Sequence, residues 1–317
     1  MQQRDIRFEI IFVDNGSQDG STEMVEQEFG GAPVEVRVIR NLENRGFCEA
    51  NNQGIAVARG EFIALLNNDA EAGPDWLSQL RPAFDVAPDI GMAASKILVW
   101  DDPSRIDKVG HLIYLDGQNR GRGFGETDHG QYDRMEEVLW PDGCAAMYRR
   151  EMLREIGGFD EDFFAYGDDA ELGLRARIAG WRCLYMPAAV VRHRRGATLG
   201  TQSLWRMELI ERNRVLLAAK LFPWSLLWLN GVFYAIRFLA GAWASITGEG
   251  EISSFPGWRK KLQVVMAMLR ADCRAIKMLP RMLRKRRRIL RRLTTRQLRT
   301  LLWKNSIPLS QLSRKAV

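Results

Sequence analysis

The sequence predicts an α/β fold followed by a helical, cationic region. Three observations carry this: a strand–helix–strand–helix beat over residues 6–100, acidic clusters placed directly after apolar strands, and an abrupt change of charge near residue 259. Such a beat argues for a mixed, mostly parallel sheet whose strands are joined by crossover helices.

The first unit, FEIIFVDNGSQDGSTE, begins at Phe8. It reads as a strand over residues 9–13, a polar turn, and a helix over 21–29 capped by Ser21 or Thr22. Further strands are expected at 34–40 and 62–66, with a helix over 47–58 that Gly60 ends. Residues 100–140 are loop-rich, and GQNRGRGFGETDHGQ has the glycine content of a mobile loop. Helices are expected again at 149–157 and 169–180. Residues 221–248 form an apolar stretch broken by one charge, Arg237, with a longest uncharged run of 16 residues. A spanning helix needs about 20, so the stretch reads either as crossing a thin bilayer with Arg237 snorkelling or as lying in the interface, the bland alternative being a buried helix. Trp205, Trp224, Trp228 and Trp243 in or near it favour the membrane interface.

Of the 317 residues, 46% are hydrophobic and 27% charged, enough for one or two domains with a core. From Arg259 onward the chain carries 19 Lys/Arg against one acid, Asp272, while the residues before it are net acidic by about 11. That tail calls for an anionic partner. It does not interleave aromatics with its cations as a nucleic-acid stacking platform does, and it follows an apolar, Trp-rich segment. Anionic membrane lipid is therefore the expected partner, and nucleic acid is not. Residues 281–303 place Met282, Leu283, Ile289, Leu290, Leu293, Leu298, Leu301 and Leu302 near helical spacing, a stripe expected to lie in a membrane interface. The competing reading is a helix packed on the acidic part of the chain. Four scattered cysteines with no C-x-x-C fit free thiols in a reducing compartment.

Chemistry in an open α/β sheet gathers beyond the carboxyl ends of its strands. One strand runs into Asp14-Asn15-Gly16-Ser17 and another into Asn67-Asn68-Asp69. Either acid alone reads equally well as a turn former. Two at one sheet edge point to a ligand, because a carboxylate there can accept from a base or hold a hard cation beside phosphates. In GFDEDFFAYGDDAELG, Asp168, Asp169 and Glu171 begin a helix. Capping explains one of them, and a general base would explain another. His193 follows a strand in VVRHRRGAT among Arg192, Arg194 and Arg195, where it reads as structural or as facing a pyrophosphate.

VDNGSQDGS, NRGFCEANNQGIAVARGEFIALLNNDAE, GGFDEDFFAYGDDAELGLRARIAGWRCLYMP and VVRH stand in the order found in family 2 glycosyltransferases. The stretch 8–220 resembles bacterial rhamnosyltransferase-like members that build cell-surface polysaccharide. The resemblance implies a GT-A fold, a Rossmann-like sheet with flanking helices, over residues 1–220, with 221–317 as a membrane-associating helical region. It implies that Asp14 contacts the nucleotide base, with Asn15, Ser17, Gly46, Asn67, Asn68 and Trp140 also on the substrate side. Asp69 would hold Mg2+ or Mn2+ at the diphosphate, with His193 as a second metal ligand. Asn67 stands where a D-x-D element has its first acid, so the metal rests mainly on Asp69. Asp169, beside Asp168, would be the general base of an inverting transfer from a nucleotide-diphosphate sugar to a glycan or polyprenyl-linked acceptor. The cytoplasmic face of the bacterial inner membrane is the implied location. Family members carry a further strand–loop–helix unit ahead of the FEIIFVDNGS strand, and MQQRDIR resembles the tail of its helix. The expectation is a start upstream of Met1, with two strands lacking a neighbour in the chain as it stands. The alternative is an impaired relative acting as a scaffold or binding partner in a glycan-assembly complex.

Overall fold

The computed structural model describes residues 3–31, 33–194, 203–247 and 257–312. Arg195 and Gly248 lie outside them. The strands are β1 (Ile10–Asn15), β2 (Val36–Asn41), β3 (Phe62–Leu66), β4 (Ala70–Ala72), β5 (Ile90–Val99), β6 (Ile106–Lys108), β7 (His111–Ile113), β8 (Asn119–Gly121), β9 (Glu136–Val138), β10 (Ala145–Arg149) and β11 (Arg182–His193). The α-helices are α1 (Ser21–Phe29), α2 (Gly46–Val57), α3 (Trp76–Leu80), α4 (Arg150–Ile156), α5 (Asp168–Ile178), α6 (Leu204–Leu221), α7 (Trp224–Thr247), α8 (Gly257–Arg286), α9 (Thr295–Lys304) and α10 (Leu309–Leu312).

The expected strands and helices before residue 100 are present, within the usual shift of an end residue or two. One local detail differs: α1 is not capped by Ser21 or Thr22. Its N-cap is Gly20 in the left-handed region, and Asp19 accepts from the Ser21 backbone and hydroxyl instead. The sheet is α/β and mixed, but less parallel than expected. β1–β2 and β5–β11 are parallel, while β10 runs antiparallel to both β3 and β5, and β11 antiparallel to β4 and β9. The long strand β5 is buried over most of its length and β11 in its apolar runs, which explains why those runs are near-continuously apolar. Nor is the glycine-rich stretch a free loop. It contains β8, which pairs with β7 just ahead of it, and Lys96 reaches across to Asp128 and Asp133 to pin its far end.

Among the described residues β1 pairs with β2 alone and β3 with β10 alone. A single large cavity is walled by Ile11, Phe12 and Val13 of β1 and by all of β3. Two strands thus present an unpaired edge among the described residues.

The greatest departure is at the C-terminal end. Residues 281–303 are not one amphipathic helix: α8 stops at Arg286 and α9 starts at Thr295, with a Thr294/Gln297 capping box. Met282, Leu298 and Leu302 are buried in the main core with Met92, Trp140 and Leu174, and Ile289 and Leu301 pack against it. The basic side chains go to acids of the α/β half: Lys285 to Asp160 and Asp162, Arg281 to Asp162, and Arg292 to Glu155. The boundary expected at residue 220 is therefore not a packing boundary. The stripe satisfied the period of a membrane-surface helix, but core and surface stripes share that period, and only the neighbours decide between them.

This separates adjacent residues. Leu302→Ala, at 0% exposure, is expected to cost about 2–5 kcal/mol. Trp303→Ala, at 68% exposure, should stay within about 0.5 kcal/mol. Chemical denaturation measures both, and equal effects would contradict the packing of α9.

Candidate active site

Asp14, Asn15, Ser17, Gly46, Asn67, Asn68, Asp69, Asp168, Asp169 and His193 all line that one cavity. Its volume is about 2870 Å³, well beyond the roughly 300–1,000 Å³ of a small-ligand site.

On the β1 side, Asp14 is buried and accepts from the Ser17 backbone at 3.1 Å. Burial opposes its charge, yet the bonds from Ser17 and Thr22 outweigh it and hold the carboxyl below its ordinary value. Asn15 ties the following loop: its amide oxygen accepts from the Arg45 backbone (3.0 Å) and Asn41, and its amide nitrogen donates to Asn44 and the Gly46 carbonyl. Gly46 is required there. Its φ is +85°, and a Cβ would stand 2.5 Å from the Phe164 ring.

Asn67, Asn68 and Asp69 form the turn between β3 and β4. Asn67 is fixed by its N–H to Cys144 O (2.9 Å), and Asp69 O accepts from Arg194 N (2.8 Å). The Asp69 Oδ1 atom is buried with no hydrogen-bond partner and lies 3.5 Å from His193 Nε2. Behind His193, the fully buried Asp107 holds Nδ1 at 2.7 Å. Burial works against charge on this ring, but the Asp107 and Asp69 carboxylates outweigh it and raise the imidazolium to about 11. An orphaned carboxylate oxygen, a histidine beside it and a carboxylate orienting that histidine fit a divalent-cation site, provided that the cation displaces the Nε2 proton of His193.

Opposite stand the acids that begin α5. Burial and the facing charge of Asp169 push the Asp168 carboxyl well up, and burial also raises Asp169 against the pull of His111 and Lys108. The residues before them are strained. Phe164 and Tyr166 have φ of +64° and +66°, which non-glycine residues rarely adopt. Asn213 on α6 stabilises this loop by directing its amide nitrogen at the carbonyls of Phe163, Ala165 and Tyr166 (2.8, 2.9 and 2.6 Å).

Several contributors escaped sequence reading. His111 Nε2 lies 3.0 Å from Asp142 Oδ2 and 3.4 Å from Asp169 Oδ2, and Lys108 pairs with Asp142. These three donor atoms sit within 4.8 Å of one another, but Lys108 already neutralises Asp142, so a metal there would have to displace it. Asp69 with His193 is the better cation site. The only advance signal was an isolated histidine and lysine in a segment that lacked clear period. Two expectations fail. Trp140 is fully buried and absent from the cavity wall; it stacks beneath His111 with ring centroids 5.9 Å apart, so close to α5 that a Cβ on Gly173 would meet it at 2.2 Å. Glu171, weighed with the two aspartates, is at 0% exposure and is bound by Arg175 and Lys220.

The raised Asp168 and Asp169 values make a pH prediction. Both carboxyls hold a proton more tightly folded than unfolded, so their contribution is favourable at low pH and is lost as pH rises through the folded value. Asp168→Asn escapes that loss. Relative to the parent chain, its melting temperature is expected to be higher at about pH 8 than at about pH 5, by about 2–4 °C per kcal/mol recovered. A difference identical at both pH values in scanning fluorimetry would contradict the raised values.

A family model described as glycosyl transferase family 2 matches residues 1–157. The uncharacterized protein y4gI of Sinorhizobium fredii is 30% identical over 200 residues, which are 61% of this chain and 22% of that protein. The N-acetylglucosaminyl-diphospho-decaprenol L-rhamnosyltransferase of Mycobacterium tuberculosis is 29% identical over 215 residues, 60% of this chain and 68% of that one. The chain thus spans about a fifth of the first relative and two thirds of the second. Among solved structures, a mannosyltransferase from Pyrobaculum calidifontis in complex with GDP-Man and Mn2+ has a TM-score of 0.49 and 17% identity, with 98% of this chain and 78% of that chain covered.

Proposed function

Since this chain belongs to glycosyl transferase family 2, we propose that it is an inverting glycosyltransferase using a nucleotide-diphosphate sugar. The observation that supports this most directly is that Asp69 with His193 and Asp168 with Asp169 stand on the walls of one cavity whose β1 end carries Asp14.

In this reading Asp14 and Asn15 bind the nucleotide base. Asp69 and His193 would hold Mg2+ or Mn2+, which would neutralise the leaving diphosphate. The acceptor hydroxyl donates its proton to Asp169, whose carboxyl burial raises above its ordinary value and so makes a stronger base. The acceptor oxygen bonds to the anomeric carbon as the bond to the diphosphate oxygen breaks, and attack from the opposite face inverts the configuration. His111, held by Asp142, keeps Asp169 oriented and shares its charge.

The rhamnosyltransferase and lipid-linked acceptor named for the Mycobacterium tuberculosis relative make rhamnose and a polyprenyl-linked or growing cell-surface glycan the candidate substrates. The membrane reading, at the cytoplasmic face of a bacterial inner membrane, is supported by α7. Residues Trp224–Ala244 are long and apolar enough to cross a membrane by length and composition, and 6% of that window is buried. A second reading, a weak relative acting as a binding partner, is favoured by one observation: the unpaired edges of β1 and β3 face the nucleotide side.

Sugar transfer from labelled nucleotide sugars to a lipid-linked acceptor tests both. Asp169→Asn should lower turnover at least about 100-fold while nucleotide binding by calorimetry persists. Asp69→Ala should remove the metal dependence of that binding. Near-full activity of Asp169→Asn refutes the base assignment. Nucleotide binding without transfer by the parent chain favours the partner reading.

A further inference from the structure

The helix α7 turns its polar groups inward. Buried Leu226 and Ala244 and half-buried Phe233 share its inner face with three polar residues: Asn230 donates to Asp116 O (3.1 Å), Tyr234 to Asp272 (3.2 Å), and Arg237 to Asp116 (2.6 Å) and Glu211 (2.9 Å). Its one charge is thus neutralised internally. The residues it turns outward are large and apolar: Trp228 is 84% exposed, Leu239 67% and Trp243 70%. A helix on a water-facing surface shows the reverse pattern. Beside it α8 seats Val264, Ala267, Ala271 and Ala275 in the protein while Trp258, Leu262 and Leu269 stay exposed. Exposed cations, Arg259, Lys260 and Lys277, accompany this second apolar stripe. Apolar faces edged by tryptophan and basic residues match a lipid surface.

The cavity that holds Asp69 and Asp169 continues to this place. Its far wall is formed by Phe238, Gly241 and Ala242 of α7, Val265 and Met268 of α8, and Ile210 of α6. Nothing lies within 4 Å of where a Gly241 Cβ would point. The lining therefore changes from carboxylates and amides at one end to mostly hydrocarbon at the other, where the charges among the described residues are the mutually paired Glu211, Arg214 and Arg237, and this end meets the apolar helix faces. A water-soluble acceptor has no use for such an end.

We infer that the groove between α7 and α8 holds the hydrocarbon tail of a lipid-linked acceptor, with α7 and the first half of α8 lying in one leaflet so that the acceptor enters sideways from the bilayer. This rests on the glycosyl-transfer reading only in naming the lipid as an acceptor. α7 then does not span the membrane, because Asn230, Tyr234 and Arg237 stay bonded to the protein along its length.

The test uses the full chain on vesicles of phosphatidylethanolamine and phosphatidylglycerol containing a prenyl diphosphate N-acetylglucosamine with a photoactivatable diazirine on its prenyl chain. Labelled peptides should map to α7 and α8. Unlabelled prenyl diphosphate N-acetylglucosamine should compete, although phospholipid is in excess. Ala242→Trp and Met268→Trp should each cut labelling at least fivefold with melting temperature and nucleotide binding kept as fold checks. Labelling that resists competition makes bulk phospholipid the occupant and overturns the proposal, as does undiminished labelling in the folded variants. Should both variants unfold, the wild-type map decides, and labels outside α7, α8 and the Ile210 turn of α6 overturn it. A chain labelled in the groove that transfers no sugar leaves the lipid groove standing and removes the glycosyl-transfer reading instead.

Discussion

A buried ionic cluster where α5, α6 and α8 meet governs much of this structure. Glu171, at 0% exposure, is bound by Arg175 and by Lys220 (2.6 Å), and Lys220 also reaches Asp160, which Lys285 of α8 contacts in turn. Burial alone would raise Asp160, but the two lysines hold it at about 2. Removing one member of such a cluster leaves a buried charge uncompensated and costs about 3–5 kcal/mol. The cluster therefore fixes α5, and with it the two aspartates at its start, against the C-terminal helices. The opposite charges of the two parts of the chain are used in the same way: Arg270 and Arg274 meet Glu208, and Arg292 meets Glu155.

Above this base, strain is concentrated in one loop. Phe164 and Tyr166 occupy left-handed conformations, and Asn213 secures three of the loop's carbonyls from the side of α6. Strained backbone persists only where its surroundings over-determine it. Here those surroundings include the Phe164 ring, which fits against Gly46 with no room for a Cβ. The loop before α2 and the loop carrying the acids are thus in van der Waals contact, so their positions are coupled by packing.

The helices α7 and α8 answer to two environments. Their inner faces obey the rules of a soluble core or a buried polar network, and their outer faces do not. The large cavity that holds Asp69 and Asp169 ends between them, so one cavity is lined by both kinds of surface.

Much of the site was legible in the chain alone. Strands and helices up to residue 100 follow from local period, and Asp14, Asp69 and Asp169 follow from acids placed where apolar strands end or a helix begins. Those signals are local, so tertiary context did not need to be known. Asp107, His111, Asp142 and Asn213 carried no such signal, because each matters through a partner distant in sequence: Asp107 through His193, and Asn213 through residues 163–166. Trp140 shows the opposite error, a residue with the right chemistry whose direction was set by packing. The sequence determined that residues 281–303 would carry an apolar stripe and α7 a single charge. Only the tertiary structure decided that the stripe enters the core while the face of α7 bearing Arg237 turns inward, because a helical period states which residues share a face but not what that face will meet.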